Sequence, residues 1–290
     1  RFTRDVIWNI GSLAILGLGG ILINTIVMAC RGPQALGIFN QVFAFYIVIS
    51  QIAVGGLQFS VLKHCSYNQD NFNECAAIAS SALLLVAFAG IVICAILYGL
   101  SGIIGKILDS SYVALGLKYA IPGLFFFALN KVMLMILNGL RSMRAFAVFQ
   151  SLRYILIMAC ISVLIILGYP GSHLPLSLTF AELILFMMLT LYINIYLFHF
   201  RFSLSSEIQK WFRRHISFGG RGFLSGILAE MNTRVDVLML GYFMSDTIVG
   251  IYSFASTFAE GFAQIPNVIR QNVDPIAGKY FLAGKREKLS

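Results

Sequence analysis

Long apolar runs separated by short polar segments dominate the pattern of residues along this chain. A helix of roughly 20 apolar residues crosses the hydrocarbon core of a bilayer, which is about 30 Å thick. Eight runs are long enough, at 6–30, 37–62, 76–104, 117–140, 145–168, 176–200, 218–243 and 248–270. The pattern therefore predicts an all-α integral membrane protein with eight transmembrane helices.

The composition agrees with a membrane protein and excludes a nucleic-acid partner. The chain has 290 residues, is 59% hydrophobic and 11% charged, and has a mean hydropathy of +0.84. Soluble domains carry about 25% charged residues. The net charge is +9, but the basic residues lie mainly between apolar runs, and no basic stripe is interleaved with aromatic residues. The excess of positive charge is better explained by orientation in the membrane.

Lysine and arginine predict the orientation, because short cytoplasmic loops are enriched in both. If the N-terminus is cytoplasmic, the outer loops hold Arg31, Lys106 and Lys118. The cytoplasmic segments then hold Arg1, Arg4, Lys63, Arg141, Arg144, Arg201, Lys210, Arg213, Arg214, Arg221, Lys279, Lys285, Arg286 and Lys288. This asymmetry predicts that both termini are cytoplasmic.

A polar stretch, SLSSEIQKWFRRHIS, precedes the seventh run at 203–217. On a helix, Ile208, Trp211, Phe212 and His215 share one side, with basic residues near its boundary or opposite. We predict a cytoplasmic amphipathic connector over 203–216 that lies in the headgroup layer and attracts anionic lipid. A solvated loop is the alternative.

An internal repeat divides the chain unequally. Arg4 precedes an apolar run, an outer turn and then Gly37-Ile38-Phe39, which begins 33 residues later. Arg214 precedes the same order of features and Gly250-Ile251-Tyr252, which begins 36 residues later. Transporters are often built from duplicated helical units. We therefore predict a six-helix N-terminal lobe at 1–202 and the first two helices of a second lobe at 217–290, as in a fragment of a longer or split transporter.

Three segments carry a resemblance to a known family. RGPQALGIFN (31–40), NGLRSMRAF (138–146) and VDVLMLGYFMSDTIVGIYSFA (235–255) resemble segments of polysaccharide and O-antigen flippases. These proteins belong to the multidrug/oligosaccharidyl-lipid/polysaccharide exporter (MOP) superfamily. The resemblance implies two six-helix lobes around a central cavity and a substrate made of sugars linked to undecaprenyl diphosphate. The sequence looks like a C-terminally truncated member.

Charged residues inside the apolar runs are the candidates for function, because each costs about 2.5–3.5 kcal/mol at mid-membrane. One of these charged residues is the acid Glu182. Three are basic candidates, Lys131, Arg153 and Arg234, and Asn130 lies beside the first in sequence. Lysine and arginine bind phosphate through charge-assisted bonds, so these four residues are predicted to line a cationic cavity for the diphosphate. Arg153 could instead reach the headgroups.

Three carboxylates are candidates for ion pairing or for coupling to H⁺ or Na⁺. Glu230 and Arg234 are four residues apart, so on one helix they could form a structural salt bridge. Asp236 lies about 200° round from Arg234 and needs another partner, such as a contact between lobes or a coupling ion. Glu260 precedes Pro266, whose kink frees a carbonyl; it is either a proton carrier or a hydrogen-bonded structural acid.

The function predicted is a flippase of the inner membrane, not an enzyme, that moves a lipid-linked oligosaccharide by alternating access. Its partners would be membrane lipids, a polysaccharide polymerase and glycosyltransferases, and no cofactor or metal is expected. One alternative is a multidrug or organic-cation antiporter on the same fold, although that would favour an acidic cavity. A membrane-embedded glycolipid transferase and a truncated scaffold are the others; the sequence shows no catalytic motif.

Overall fold

The chain folds into long helices, in a computed structural model that describes the backbone of residues 2–200 and 206–262. Its side chains are described at 11, 14–200 and 208–262. The helices are α1 (Phe2–Val54), α2 (Leu57–Tyr67), α3 (Phe72–Ile107), α4 (Ser111–Gly139), α5 (Met143–Ile166), α6 (Leu176–Tyr196), α7 (Ser206–Asn232), α8 (Val235–Phe243) and α9 (246–262). A 3₁₀ turn, Gly171–His173, precedes α6. These residues contain no strand.

Helix α1 is a hairpin of two helices joined at Gly32. That glycine has φ 80° and ψ 177°, a backbone conformation that is almost exclusive to glycine, and Pro33 follows it. The chain reverses there, as a contact between the two arms shows. The Asn40 amide donates a hydrogen bond to Asn24 Oδ1 at 2.8 Å, although the two residues lie on opposite sides of the turn. Arg31 fixes the turn by donating to the Ile165 carbonyl at the end of α5, at 3.0 Å. The first two predicted spans are therefore two crossings, as expected.

Helices long and apolar enough to cross a membrane confirm the all-α integral membrane fold. Within the described ranges they are Ala14–Val54, Phe72–Ile107, Ser111–Gly139, Met143–Ile166 and Gly171–Tyr196. The first contains the hairpin, so these helices account for the six predicted spans of the N-terminal lobe. The prediction of one unbroken helix over 218–243 is wrong, because α7 ends at Asn232 and α8 begins at Val235.

Helix α4 is the centre of the bundle and packs against α1, α2, α3, α5 and α6. Pro122 interrupts its hydrogen bonding, since proline has no N–H to donate. The Thr179 hydroxyl of α6 enters the helix one residue later: it accepts from the Gly123 N–H at 3.0 Å and donates to the Tyr119 carbonyl at 2.6 Å. A Cβ at residue 123 would lie 2.7 Å from Thr179 Cα. Glycine is therefore what allows α6 to approach this closely.

Helix α7 carries the amphipathic face predicted for the connector, but that face packs against protein. Trp211 and His215 are buried at the junction with α2 and α3, and the Trp211 indole donates to Glu74 Oε1 at 2.9 Å. The expectation that this face rests on headgroups is therefore wrong for these two residues. The connector is the first part of α7, which continues to Asn232 without a break at 216. The division into lobes stays a prediction.

Candidate functional site

A cavity of about 470 Å³ lies where α1, α2, α4, α5 and α7 meet. We call it the central cavity, and its polar lining consists of Gln51, Gln58, Lys131, Gln150, Arg153, Glu230 and Thr233. Its volume falls within the range of about 300–1,000 Å³ typical of ligand sites. The sequence predicted three of these residues, and the three glutamines were missed. Glutamines inside apolar runs were the signal that could have indicated them.

Lys131 is held loosely at the wall of the central cavity. Its Nζ lies 3.5 Å from Glu230 Oε1 on α7 and 3.3 Å from Gln51 Oε1 on α1. The ammonium also lies 4.9 Å from the centre of the Phe127 ring, within the range of a cation–π contact. The side chain of Lys131 is 15% exposed and that of Glu230 is 34% exposed.

Arg153 is held tightly by an acid from α6. Its Nε lies 2.7 Å from Glu182 Oε1, and Glu182 is 2% exposed. The predicted substrate contact Asn130 is fully buried, and its amide donates to Glu182 Oε2 at 2.7 Å and to the Glu182 carbonyl at 2.9 Å. The structure therefore places Asn130 behind the arginine, where it orients the carboxylate.

Arg234 and Glu260 line a second, smaller cavity of about 180 Å³, between α1, α5 and α9. The guanidinium Nη1 lies 3.8 Å from Glu260 Oε1. Pro266, whose kink was expected to free a carbonyl near Glu260, lies outside the described residues. Apart from Asp236, the candidate charges of the predicted site thus line two cavities, and each of the three cations has a carboxylate beside it. The polar wall of the smaller cavity is completed by Asn24, Asn40 and Tyr154.

The expected salt bridge between Glu230 and Arg234 is absent from the described residues. The helix that would align them ends at Asn232, so Glu230 contacts Lys131 and Arg234 contacts Glu260. Asp236 accepts a hydrogen bond from the Tyr252 hydroxyl of α9 at 2.6 Å. Helix spacing alone chose the wrong partner because the chain changes direction between the two residues.

At the predicted outer end, α9 meets the α1 hairpin in what we call the outer contact, comprising Gly37, Gln41, Ser110, Asp246 and Gly250. A Cβ on Gly37 would overlap the Asp246 carbonyl oxygen, and one on Gly250 would overlap the Pro33 carbonyl oxygen. The Asp246 carboxylate accepts from Gln41 Nε2 at 2.8 Å and from Ser110 Oγ at 2.7 Å. The sequence did not single out Asp246, which looked like an ordinary acid in an outer turn.

At the predicted cytoplasmic end, α7 meets α2 and α3 in what we call the inner contact. The two ring nitrogens of His215 lie 2.8 Å from Ser60 Oγ and 3.1 Å from the Ile78 carbonyl oxygen. Four residues later, Gly219 lies against the backbone of Gly55 and Gly56, where a Cβ would come within 2.6 Å of the Gly55 carbonyl oxygen. The central cavity lies between these two contacts.

The fold is similar to that of solved MOP-superfamily transporters. The MATE multidrug transporter DinF-BH aligns with a TM-score of 0.73 and 15% identity over 96% of this chain. The eukaryotic MATE transporter AtDTX14 gives 0.66 and 12% over 92%. A MOP-superfamily transporter from Pyrococcus furiosus, described as having a binding pocket of reverse polarity, gives 0.58 and 14% over 92% of this chain and 67% of its own.

The sequence itself matches a family over most of its length. The chain covers 65% of DinF-BH and 62% of AtDTX14, so it spans less than two thirds of these two transporters. No curated protein matches the chain. The family described as polysaccharide biosynthesis protein matches residues 2–275. The chain is therefore a multi-pass membrane protein that belongs to the polysaccharide biosynthesis protein family and has the fold of MOP-superfamily transporters.

Proposed function

We propose that this protein is a secondary transporter that moves an undecaprenyl-diphosphate-linked oligosaccharide across the inner membrane. The observation that carries the proposal is the lining of the central cavity, which includes Lys131 and three glutamines. A lysine ammonium binds phosphate as a point charge. The glutamine amides both donate and accept hydrogen bonds, as sugar hydroxyls require.

The likeness of the fold to solved transporters supports alternating access as the mechanism. The sugar-diphosphate head would enter the central cavity while the lipid tail stays in the bilayer. Helices α7–α9 would then move against α1–α6, opening first one end of the bundle and then the other. Glu230, Asp236 and Glu260 are the carboxylates at which H⁺ or Na⁺ would couple to this movement. A polysaccharide polymerase and glycosyltransferases would act before and after the transport step.

Translocation by proteoliposomes containing the purified protein tests this proposal. The variant Lys131→Ala combined with Arg234→Ala removes two cations, each from a different cavity. A hydrogen bond to a charged group contributes about 1.5–3 kcal/mol, so we expect transport of a lipid-diphosphate-linked sugar to fall by about tenfold or more. Lys106→Ala, at the exposed end of α3, is the matched control and should transport normally.

Two results would contradict the proposal. Unchanged transport in the double variant would show that these cations do not bind the substrate. Efflux of an organic cation such as ethidium, with no movement of the lipid-linked sugar, would favour the multidrug alternative. That alternative has the fold likeness in its favour, but two cations against one carboxylate in the lining of the central cavity disfavour a cationic substrate.

A further inference from the structure

Two of the pairs of opposite charges inside the bundle, Arg153–Glu182 and Lys131–Glu230, differ in how easily they can separate. In the first pair, Arg153 Nε lies 2.7 Å from Glu182 Oε1. The Glu182 side chain is almost completely buried and also accepts a hydrogen bond from Asn130. The Lys131–Glu230 pair is 3.5 Å long, and Glu230 is about one third exposed. A buried pair with extra hydrogen bonds is costly to break, whereas a partly exposed pair contributes little. Arg153 therefore keeps its counterion, and Lys131 can exchange its own.

The position of Glu230 depends on a close approach of α7 to α1. A Cβ at Gly226 would lie 2.5 Å from the Gln51 side-chain nitrogen, so glycine allows α7 to rest on that amide. Glu230 follows four residues later and therefore projects from the same face. Gln51 and Glu230 reach Lys131 together, at 3.3 Å and 3.5 Å. A carboxylate of α7 is thus presented to an ammonium of α4 at the wall of the central cavity.

We propose that Glu230 is a displaceable counterion whose place at Lys131 is taken by the negatively charged diphosphate head of the substrate. The inference rests on the proposed function and adds the way in which substrate is sensed. An anion that binds Lys131 removes the ion pair between α4 and α7, and α7 then keeps its contact with α1 at Gly226 and Gln51. A neutral lipid cannot make this exchange. Glu230 therefore selects for anionic head groups and links their arrival to the release of α7.

Binding to the purified protein in lipid nanodiscs tests the exchange. The probes are undecaprenyl diphosphate and undecaprenol, which have the same chain but differ in charge. Because a partly exposed ion pair contributes about 0.2–1 kcal/mol, Glu230→Gln should bind the diphosphate about 1.4- to 5-fold more tightly. Its affinity for undecaprenol should not change. Asp70→Asn, in the exposed loop between α2 and α3, removes the same charge elsewhere and should affect neither probe.

The lysine variant separates this inference from the proposed function. If Lys131→Ala weakens diphosphate binding but Glu230→Gln does not strengthen it, the exchange is wrong and the proposed site stands. Equal gains for both probes in Glu230→Gln would also overturn the exchange, because they would indicate a change of cavity shape. If Lys131→Ala leaves diphosphate binding unchanged, the proposed function itself fails.

Discussion

The outer and inner contacts hold α7–α9 against the rest of the bundle by different means. In the outer contact, two backbones meet directly at Gly37 and Gly250, and one carboxylate, Asp246, accepts two hydrogen bonds. The inner contact also has a close backbone approach, at Gly219, but it adds ring side chains inserted between helices: Trp211 is 2% exposed and His215 is fully buried. The two contacts therefore differ in the buried rings, which only the inner contact has.

This difference predicts which end resists opening. Opening the outer contact separates two backbones and exposes the small buried side chains of Ala44, Val237 and Val249. Withdrawing Trp211 and His215 exposes two larger rings and leaves the Glu74 and Ile78 acceptors without donors. Apolar burial contributes about 25 cal/mol per Å², and each unsatisfied buried acceptor costs about 1–3 kcal/mol more. In a cycle of alternating access, we expect the inner end to need the larger driving force.

Acid pH should weaken the inner contact most. His215 precedes the predicted seventh span, and its burial lowers its pKa to about 4; the neighbouring His64 adds to this, while the Ile78 carbonyl partly offsets it. An unfolded histidine has a pKa of about 6.5. The folded state therefore favours the neutral ring, so its contribution is complete above pH 6.5 and is lost as the pH falls towards 4. Linkage predicts a loss of about 3 kcal/mol across that window.

Thermal unfolding of the purified protein between pH 7 and pH 4 measures this effect. The variant His215→Gln keeps a side chain that can donate and accept, and it should remove most of the pH dependence. Some dependence should remain, because burial also lowers the pKa of His64, with further lowering from Lys63 and Arg214. A pH dependence equal to that of the unmodified protein would show that the inner contact does not titrate.

A side chain at Gly37 should break the outer contact. The Asp246 carbonyl that its Cβ would meet belongs to the backbone and cannot rotate away. Overpacking of this kind costs about 1–3 kcal/mol, so we expect Gly37→Val to lower the free energy of unfolding by about 2 kcal/mol. Gly99→Val is the matched control, since a Cβ there meets nothing within 4 Å. Equal losses in denaturant titrations of the two variants would show that helix propensity, and not the contact, is responsible.

The same contact shows how far the sequence could predict the structure. The lengths of the apolar runs located the first six spans, since the length needed to cross a bilayer is fixed by its thickness. The repeat also placed Gly37 and Gly250 at equivalent positions, and the structure brings these two glycines together. What the sequence could not supply was the distance between them, because close approach depends on how two turns far apart in the chain are oriented.

The charged residues show the limit more clearly. Their presence in apolar runs was a reliable signal, because each must find a partner in a medium that solvates charge poorly. Their partners could not be predicted, because Arg153 finds Glu182 on another helix and Glu230 finds Lys131 across the bundle. The four-residue spacing predicted an ion pair between Glu230 and Arg234, but α7 ends at Asn232, so the two side chains do not share a helix face. Asp246 was missed because its two donors lie on α1 and beside α4.

Asp246→Asn should produce the smallest effect, and it separates charge from shape in the outer contact. The amide keeps one oxygen to accept from Gln41, and the Ser110 hydroxyl can accept from its nitrogen, so both hydrogen bonds persist without the charge. Charge-assisted bonds are roughly twice as strong as neutral ones, so we expect a loss of about 1 kcal/mol in thermal unfolding. Asp109→Asn, an exposed acid at the same end of the bundle, should lose nothing. If both variants behave alike, the charge of Asp246 does not contribute to the outer contact, and its shape and hydrogen bonds are sufficient.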